Sequence, residues 1–153
     1  MVDILTYYDQ HPINEQAIID ALLREDKNLG HLRPEDLFPH DQDHYGGLTA
    51  VDALSKTAAI GCDDRVLDVC SGMGGPARYI ADAYGCPVTG LELNRSRVVS
   101  AARLTARVGL TDKVNFVCGD ATYMPFQNRS FTRVVSKEAF LHIEDKSALF
   151  ENC

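Results

Sequence analysis

From residue 65 onward the chain alternates short apolar runs with helical stretches that stop at glycine, and no other feature restricts its fold as much. The runs fall at 65–70, 87–91 and 114–118, with helical spacing over 76–84 and 95–108 between them, closed by Gly85 and Gly109. "FTRVVS", residues 131–136, supplies a fourth run. Strands this short, joined through helices of about ten residues, need crossover connections, so the alternation predicts an α/β, doubly wound, mainly parallel sheet with helices on both faces. Such a sheet usually has about five or more strands; here the fourth is followed only by "KEAFLHIEDKSALFENC", with a helix beginning near Lys146. The expectation is a sheet whose C-terminal strands are missing. Its open apolar fourth-strand edge would be available for pairing with another copy as a homodimer.

The first 47 residues differ in character and hold most of the histidines. "NEQAIIDALLREDKNLG" predicts a helix with Asn14 as N-cap, Ala17, Ile18, Ala21 and Leu22 on one face, and Gly30 beyond its end. "HLRPEDLFPHDQDHYGG" (31–47) has two prolines, two glycines and no sustained period, and reads as an irregular connection. "LTAVDALSKTAAIG" returns to helical spacing and closes at Gly61. The chain therefore divides into a helical N-terminal extension with a covering loop, 1–47, and a sheet domain, 48–153. Its 153 residues suit a single core.

Composition removes several classes of function. A formal charge of -7 argues against nucleic acid as a partner, because binding its backbone needs a positive surface. The five cysteines show no CxxC spacing, so reduced thiols in a cytoplasmic setting are expected rather than a disulfide framework or a zinc site. No run reaches the roughly 20 apolar residues of a membrane span, and the opening "MVDILTYYDQ" lacks the basic start of a signal peptide. "HDQDH" places His40 and His44 where a helix would align them as metal ligands, but a third ligand is missing and the segment is irregular, so no metal is expected.

The chemistry concentrates in "VLDVCSGMGG", residues 66–75. A glycine-rich turn after the first strand of such a sheet admits ligand atoms to the backbone, while the next helix aims its N-terminus at them. Gly72, Gly74 and Gly75 suit that role, with Pro76 opening the helix. "GMGGPA" also fits the dinucleotide fingerprint G-x-G-x-x-A, so a nicotinamide cofactor stays open on these residues alone. Glu92, seventeen residues beyond Gly75, can accept from two ribose hydroxyls with either cofactor. Asp68 bears on the choice. A carboxylate in a buried strand costs several kcal/mol unless paired or hydrogen-bonded; it repels a pyrophosphate, attracts a cation, and has the alternative of capping the glycine turn through backbone N–H groups.

"VLDVCSGMGGPARYIA", "GLELN", "GLTDKVNFVCGDATYMPF" and "VVSKEAFLHIEDK" together resemble a class I S-adenosylmethionine-dependent methyltransferase of the small-molecule branch, which includes the phosphoethanolamine, sarcosine/dimethylglycine and tocopherol enzymes. The resemblance covers about residues 44 to 153 and implies a Rossmann-like fold with S-adenosyl-L-methionine as cofactor and a small-molecule methyl acceptor. It implies that Asp68, Ser71 and Gly72 hold the methionine end, that Gly74 and Gly75 allow close approach, and that Glu92 takes the ribose hydroxyls. Leu93 would pack on the adenine face, Asp120 with the Ala121 amide would read the adenine edge, and Lys137 would line the methionine side. Tyr45, in "HYGG", belongs to a segment that closes over the cofactor. One departure stands out: such families write D-x-G-C-G-x-G-G, and Cys70 occupies the place of the first glycine.

In-line displacement from a sulfonium needs alignment and exclusion of water more than a fixed triad. His142, after the fourth strand, is the candidate to accept the acceptor's proton. Tyr7, Tyr8 and Tyr123 are candidates for contact with a cation. The competing expectation is a non-catalytic cofactor-binding module, or an inactive fragment that needs a partner chain.

Overall fold

A computed structural model describes residues 4–153 of the chain; residues 1–3, the start of the opening stretch, lie outside it. The N-terminal part carries α1 (Ile4–Asp9), α2 (Glu15–Arg24), α3 (Pro34–Leu37) and α4 (Gly47–Thr57). Asn14 caps α2 as its sequence position implies, accepting from the Ala17 N–H at 3.0 Å. The helix ends six residues before Gly30, however. Asp26 takes the left-handed conformation (φ 56°), and the Lys27 and Asp26 N–H groups bond back to Leu22 and Leu23, the closing pattern usually built on glycine. Two further elements depart from the expectation. α1 was not marked by periodicity, and α3 interrupts the segment expected to be irregular, with Pro34 in its first turn and Asp36 Oδ2 accepting from the Arg33 N–H.

The remaining elements are β1 (Val66–Val69), α5 (Gly75–Tyr84), β2 (Val88–Glu92), α6 (Arg95–Arg107), β3 (Val114–Cys118), β4 (Arg133–Val135) and α7 (Lys146–Asn152), with a 3-10 turn over Phe140–His142. The four strands pair in the order β3-β2-β1-β4, all parallel. The expected α/β fold is therefore present, with β4 at one edge. Strand residues alternate between two cores, as a period of two requires. Val66, Val88, Val114 and Val135 join Ile18, Val51, Ile80 and Leu104 from α2, α4, α5 and α6. On the opposite face Leu67, Val69 and Leu91 pack with Leu149 of α7.

Starting from β1, the chain builds outward through β2 to β3 and then returns to place β4 on the other side of β1. This reversal opens a crevice at the carboxyl ends of β1 and β4, the place where open sheets of this type bind ligands. Asp68 lies there, in register with Gly90 of β2 and Val135 of β4.

Candidate ligand-binding site

The turn after β1 is built from left-handed residues. Cys70 (φ 60°), Gly72 (φ 55°) and Gly74 (φ 77°) all adopt the conformation that favours glycine, so Cys70 pays about 1–2 kcal/mol for standing where a glycine is free. The Ser71 N–H reaches back to the Leu91 carbonyl of β2 at 3.0 Å, and the Gly74 N–H closes on the Ser71 carbonyl at 2.8 Å. Burial, followed by the neighbouring Glu92 and Asp68 charges, pushes the Cys70 thiol up to about 12. It is a neutral packing group rather than a nucleophile.

Asp68 does not cap this turn. Glu92 does: its Oε2 accepts from the Gly72 N–H and its Oε1 from the Asn94 N–H, each at 2.9 Å. Asp68 is buried, its Oδ2 has no hydrogen-bond partner, and burial followed by the Glu92 charge pushes its carboxyl up to about 7. The side chain therefore carries an unmet demand for a donor or a cation.

The glycines serve the fold as much as any ligand. A Cβ on Gly74 would lie 2.5 Å from the Phe116 ring, and one on Gly75 would lie 2.2 Å from the Asp41 carbonyl oxygen. On their Cβ sides, β3 and the 38–46 loop thus approach these two glycines closely. Gly90, opposite Asp68, clears room for the same Phe116 ring.

Asp68, Ser71, Gly72, Gly75, Glu92, Leu93, Lys137 and His142 line one cavity of about 140 Å³ at the crevice. Gly74, Tyr45, Asp120 and Ala121 are not among its lining residues. Tyr45 is 88% exposed, its backbone N–H held by Glu138 Oε2 at 3.0 Å. Asp120 is exposed and spends Oδ1 on the Thr122 N–H and hydroxyl, at 2.7 and 2.8 Å, while Ala121 packs in the second core. His40 and His44 do not share a helical face: His40 Nε2 lies 3.1 Å from Glu25 and His44 Nε2 lies 3.2 Å from Gln42.

Several groups at the site were not singled out by the sequence; Tyr8, a candidate for contact with a cation, is joined there by others. α1 roofs the cavity with Ile4, Leu5 and Tyr8, and the Tyr8 hydroxyl lies 3.1 Å from His142 Nε2. Burial and the Asp43 carboxylate push the Tyr8 phenol up, which keeps it protonated. Behind the turn, Arg78 is fully buried. It donates to Asp41 twice (2.8 and 3.1 Å), to the Met73 and Ala101 carbonyls, and to the Thr105 hydroxyl, which uses all five guanidinium donors. An arginine on the otherwise apolar face of α5 was a legible hint; Asp41 was not.

Comparison with known proteins places this geometry in context. A family model described as a methyltransferase domain matches residues 66–153. Sterol 24-C-methyltransferase ERG6B of Gibberella zeae is 46% identical over 78 residues, covering 51% of this chain and 20% of that protein. Phosphoethanolamine N-methyltransferase 1 of Arabidopsis thaliana is 32% identical over 124 residues, 81% of this chain and 25% of the relative. The chain thus spans about a fifth to a quarter of the length of these curated relatives. The structure of Haemonchus contortus phosphoethanolamine N-methyltransferase 2, in complex with phosphomonomethylethanolamine and S-adenosylhomocysteine, superposes with a TM-score of 0.74 at 23% identity, covering 99% of this chain and 32% of that one. It shares the fold.

Proposed function

Because the chain belongs to the methyltransferase domain family, we propose that it carries the cofactor side of a methyl transfer from S-adenosylmethionine to a small-molecule acceptor through an N, O or C nucleophile. The observation that carries this reading is the buried Asp68 carboxylate, with Oδ2 unpartnered, at the head of the cavity. A pyrophosphate would be repelled there and a cation drawn in. S-adenosylmethionine, when bound, supplies a methyl group on a positively charged sulfur beside an ammonium and a carboxylate.

The residues present suit such a group. Asp68 answers positive charge, and Arg97 Nε, a buried donor with no partner, suits a carboxylate. Ser71, Gly72 and Gly75 form the backbone floor, with Lys137 on the methionine side. Glu92, although it holds two backbone N–H groups, keeps lone pairs for ribose hydroxyls. Leu93, 47% exposed, offers an apolar surface to adenine. Asp120 Oδ2 and the Ala121 amide, beyond the cavity at the end of β3, would read the adenine edge, while Gly74 keeps the turn in shape and the 38–46 loop bearing Tyr45 closes over the site. His142 accepts the proton of a protic acceptor, while α1 keeps water out.

Calorimetric titration with S-adenosylmethionine and with NAD tests the reading. Saturable binding of the first and none of the second is expected, with Asp68→Ala weakening the first by about tenfold or more; unchanged affinity in the variant, or equal binding of NAD, overturns it. The five unpaired thiols support a reducing compartment such as the cytoplasm. The net charge disfavours nucleic acid as a partner, and no described helix is long and apolar enough to cross a membrane. β4, at the sheet edge, is the surface through which a second copy would pair, and light scattering after size exclusion reads the dimer directly.

A further inference from the structure

Arg97 lies in the first turn of α6, 4% exposed, and no step of the proposed transfer yet uses its stacking or its ion pair. Its guanidinium meets three separate parts of the molecule. A Cβ on Gly72 would come within 3.2 Å of its terminal nitrogen, so it sits directly beneath the glycine turn. It forms an ion pair with Asp43 from the loop before α4. Its central carbon lies 5.0 Å from the centre of the Tyr8 ring, within reach of a cation–π contact. Tyr8 in turn places its hydroxyl 3.1 Å from His142 Nε2. α1 has no buried residue of its own. Its hold on the rest of the molecule includes this stack and the Asp9 carboxylate, which accepts from Asn94 and Ser96 at the start of the same α6.

We infer that Arg97 is a positioning residue: stacked on Tyr8, neutralised by Asp43 and wedged under Gly72, it sets Tyr8 against His142 and links that contact to the state of the glycine turn. The physical reason is geometric. A planar guanidinium offers Tyr8 a flat cationic face while its edge serves Asp43, which a lysine ammonium does less well. Any shift of the turn when a ligand fills it therefore presses on the group that holds Tyr8, and the linkage is reciprocal. The catalytic meaning of the link rests on the methyl-transfer reading; the link itself does not.

The test uses the whole chain, with the imidazole resonances of His142 followed by NMR in wild type, Tyr8→Phe, Arg97→Gln and Arg97→Lys. Tyr8→Phe defines the displacement caused by losing the hydroxyl contact. Arg97→Gln is expected to give a displacement of the same kind although it leaves the Tyr8 hydroxyl in place, and Arg97→Lys to recover part of it. S-adenosylhomocysteine is then added at a concentration that saturates each protein by calorimetry, and amide exchange over residues 4–9 is expected to slow on the order of tenfold in wild type and little in Arg97→Gln. Wild-type His142 resonances in Arg97→Gln overturn the inference, as does equal slowing of exchange in both proteins. Where Arg97→Gln does not fold, Arg97→Lys is read against the same two limits. Failure of wild type to bind S-adenosylhomocysteine overturns the cofactor assignment instead, and leaves the His142 comparison to decide the role of Arg97.

Discussion

Asp68 is held at the head of β1 with its carboxyl pushed from the usual 3.8 to about 7, so between these limits the native protein keeps a proton that the unfolded chain has released. Stability then falls as pH rises through that window; the cost is absent below about pH 4 and complete above about pH 7, where the shift corresponds to roughly 4 kcal/mol at most. Asp68→Asn is expected to stabilise the ligand-free protein by about 1–4 kcal/mol at pH 8 and to add little at pH 4, read from urea unfolding at both values. An equal difference at the two pH values contradicts the burial of this carboxyl. A cationic ligand works in the opposite direction, because it binds the ionised form. Cys70 belongs to the same scale: a β-branched residue at its φ of 60° is strained, and Cys70→Val is expected to cost about 2 kcal/mol in the same measurement.

The 38–46 loop is fastened to α5 by two contacts that act together, the buried Arg78–Asp41 pair and the seat of the Asp41 carbonyl on Gly75. Removing one charge of a buried pair strands the other, so Asp41→Asn is expected to cost about 3–5 kcal/mol, whereas joint replacement by Asp41→Leu and Arg78→Met restores much of it. Gly75→Ala forces a Cβ into backbone that cannot swing aside. Gly72→Ala meets only the end of the Arg97 side chain, besides the strain of its φ of 55°. Gly75→Ala is accordingly expected to be the more destabilising of the two and to speed amide exchange across 41–46; the reverse order would mean that the turn, not the loop seat, sets the need for glycine.

For the molecule as a whole, the prediction is linkage. A ligand that binds only the native state at a hundred times its Kd adds about 2.7 kcal/mol, or roughly 5–10 °C in Tm for a chain of this size. S-adenosylhomocysteine is expected to produce such a shift in wild type and not in Asp68→Ala; no shift in wild type would remove the cofactor from the site. Which parts of this molecule were legible in its sequence follows from the range of the forces involved. The strands, α2, α4, α5 and α6 were readable because periodicity, the Asn14 cap and the glycine stops act within a few residues. The parallel sheet was readable because short strands joined through helices leave few other connections. The importance of "VLDVCSGMGG" was readable, as was the conflict posed by a carboxylate inside it. Contacts between distant segments decided the rest. Glu92 rather than Asp68 came to cap the turn, Phe116 and Asp41 came to sit where side chains on Gly74 and Gly75 would lie, and α1 came to roof the cavity through Tyr8 and Arg97. No local pattern encodes such pairings, because each depends on which side chains a crossover brings within about 3–6 Å of one another, a matter of packing rather than of spacing along the chain.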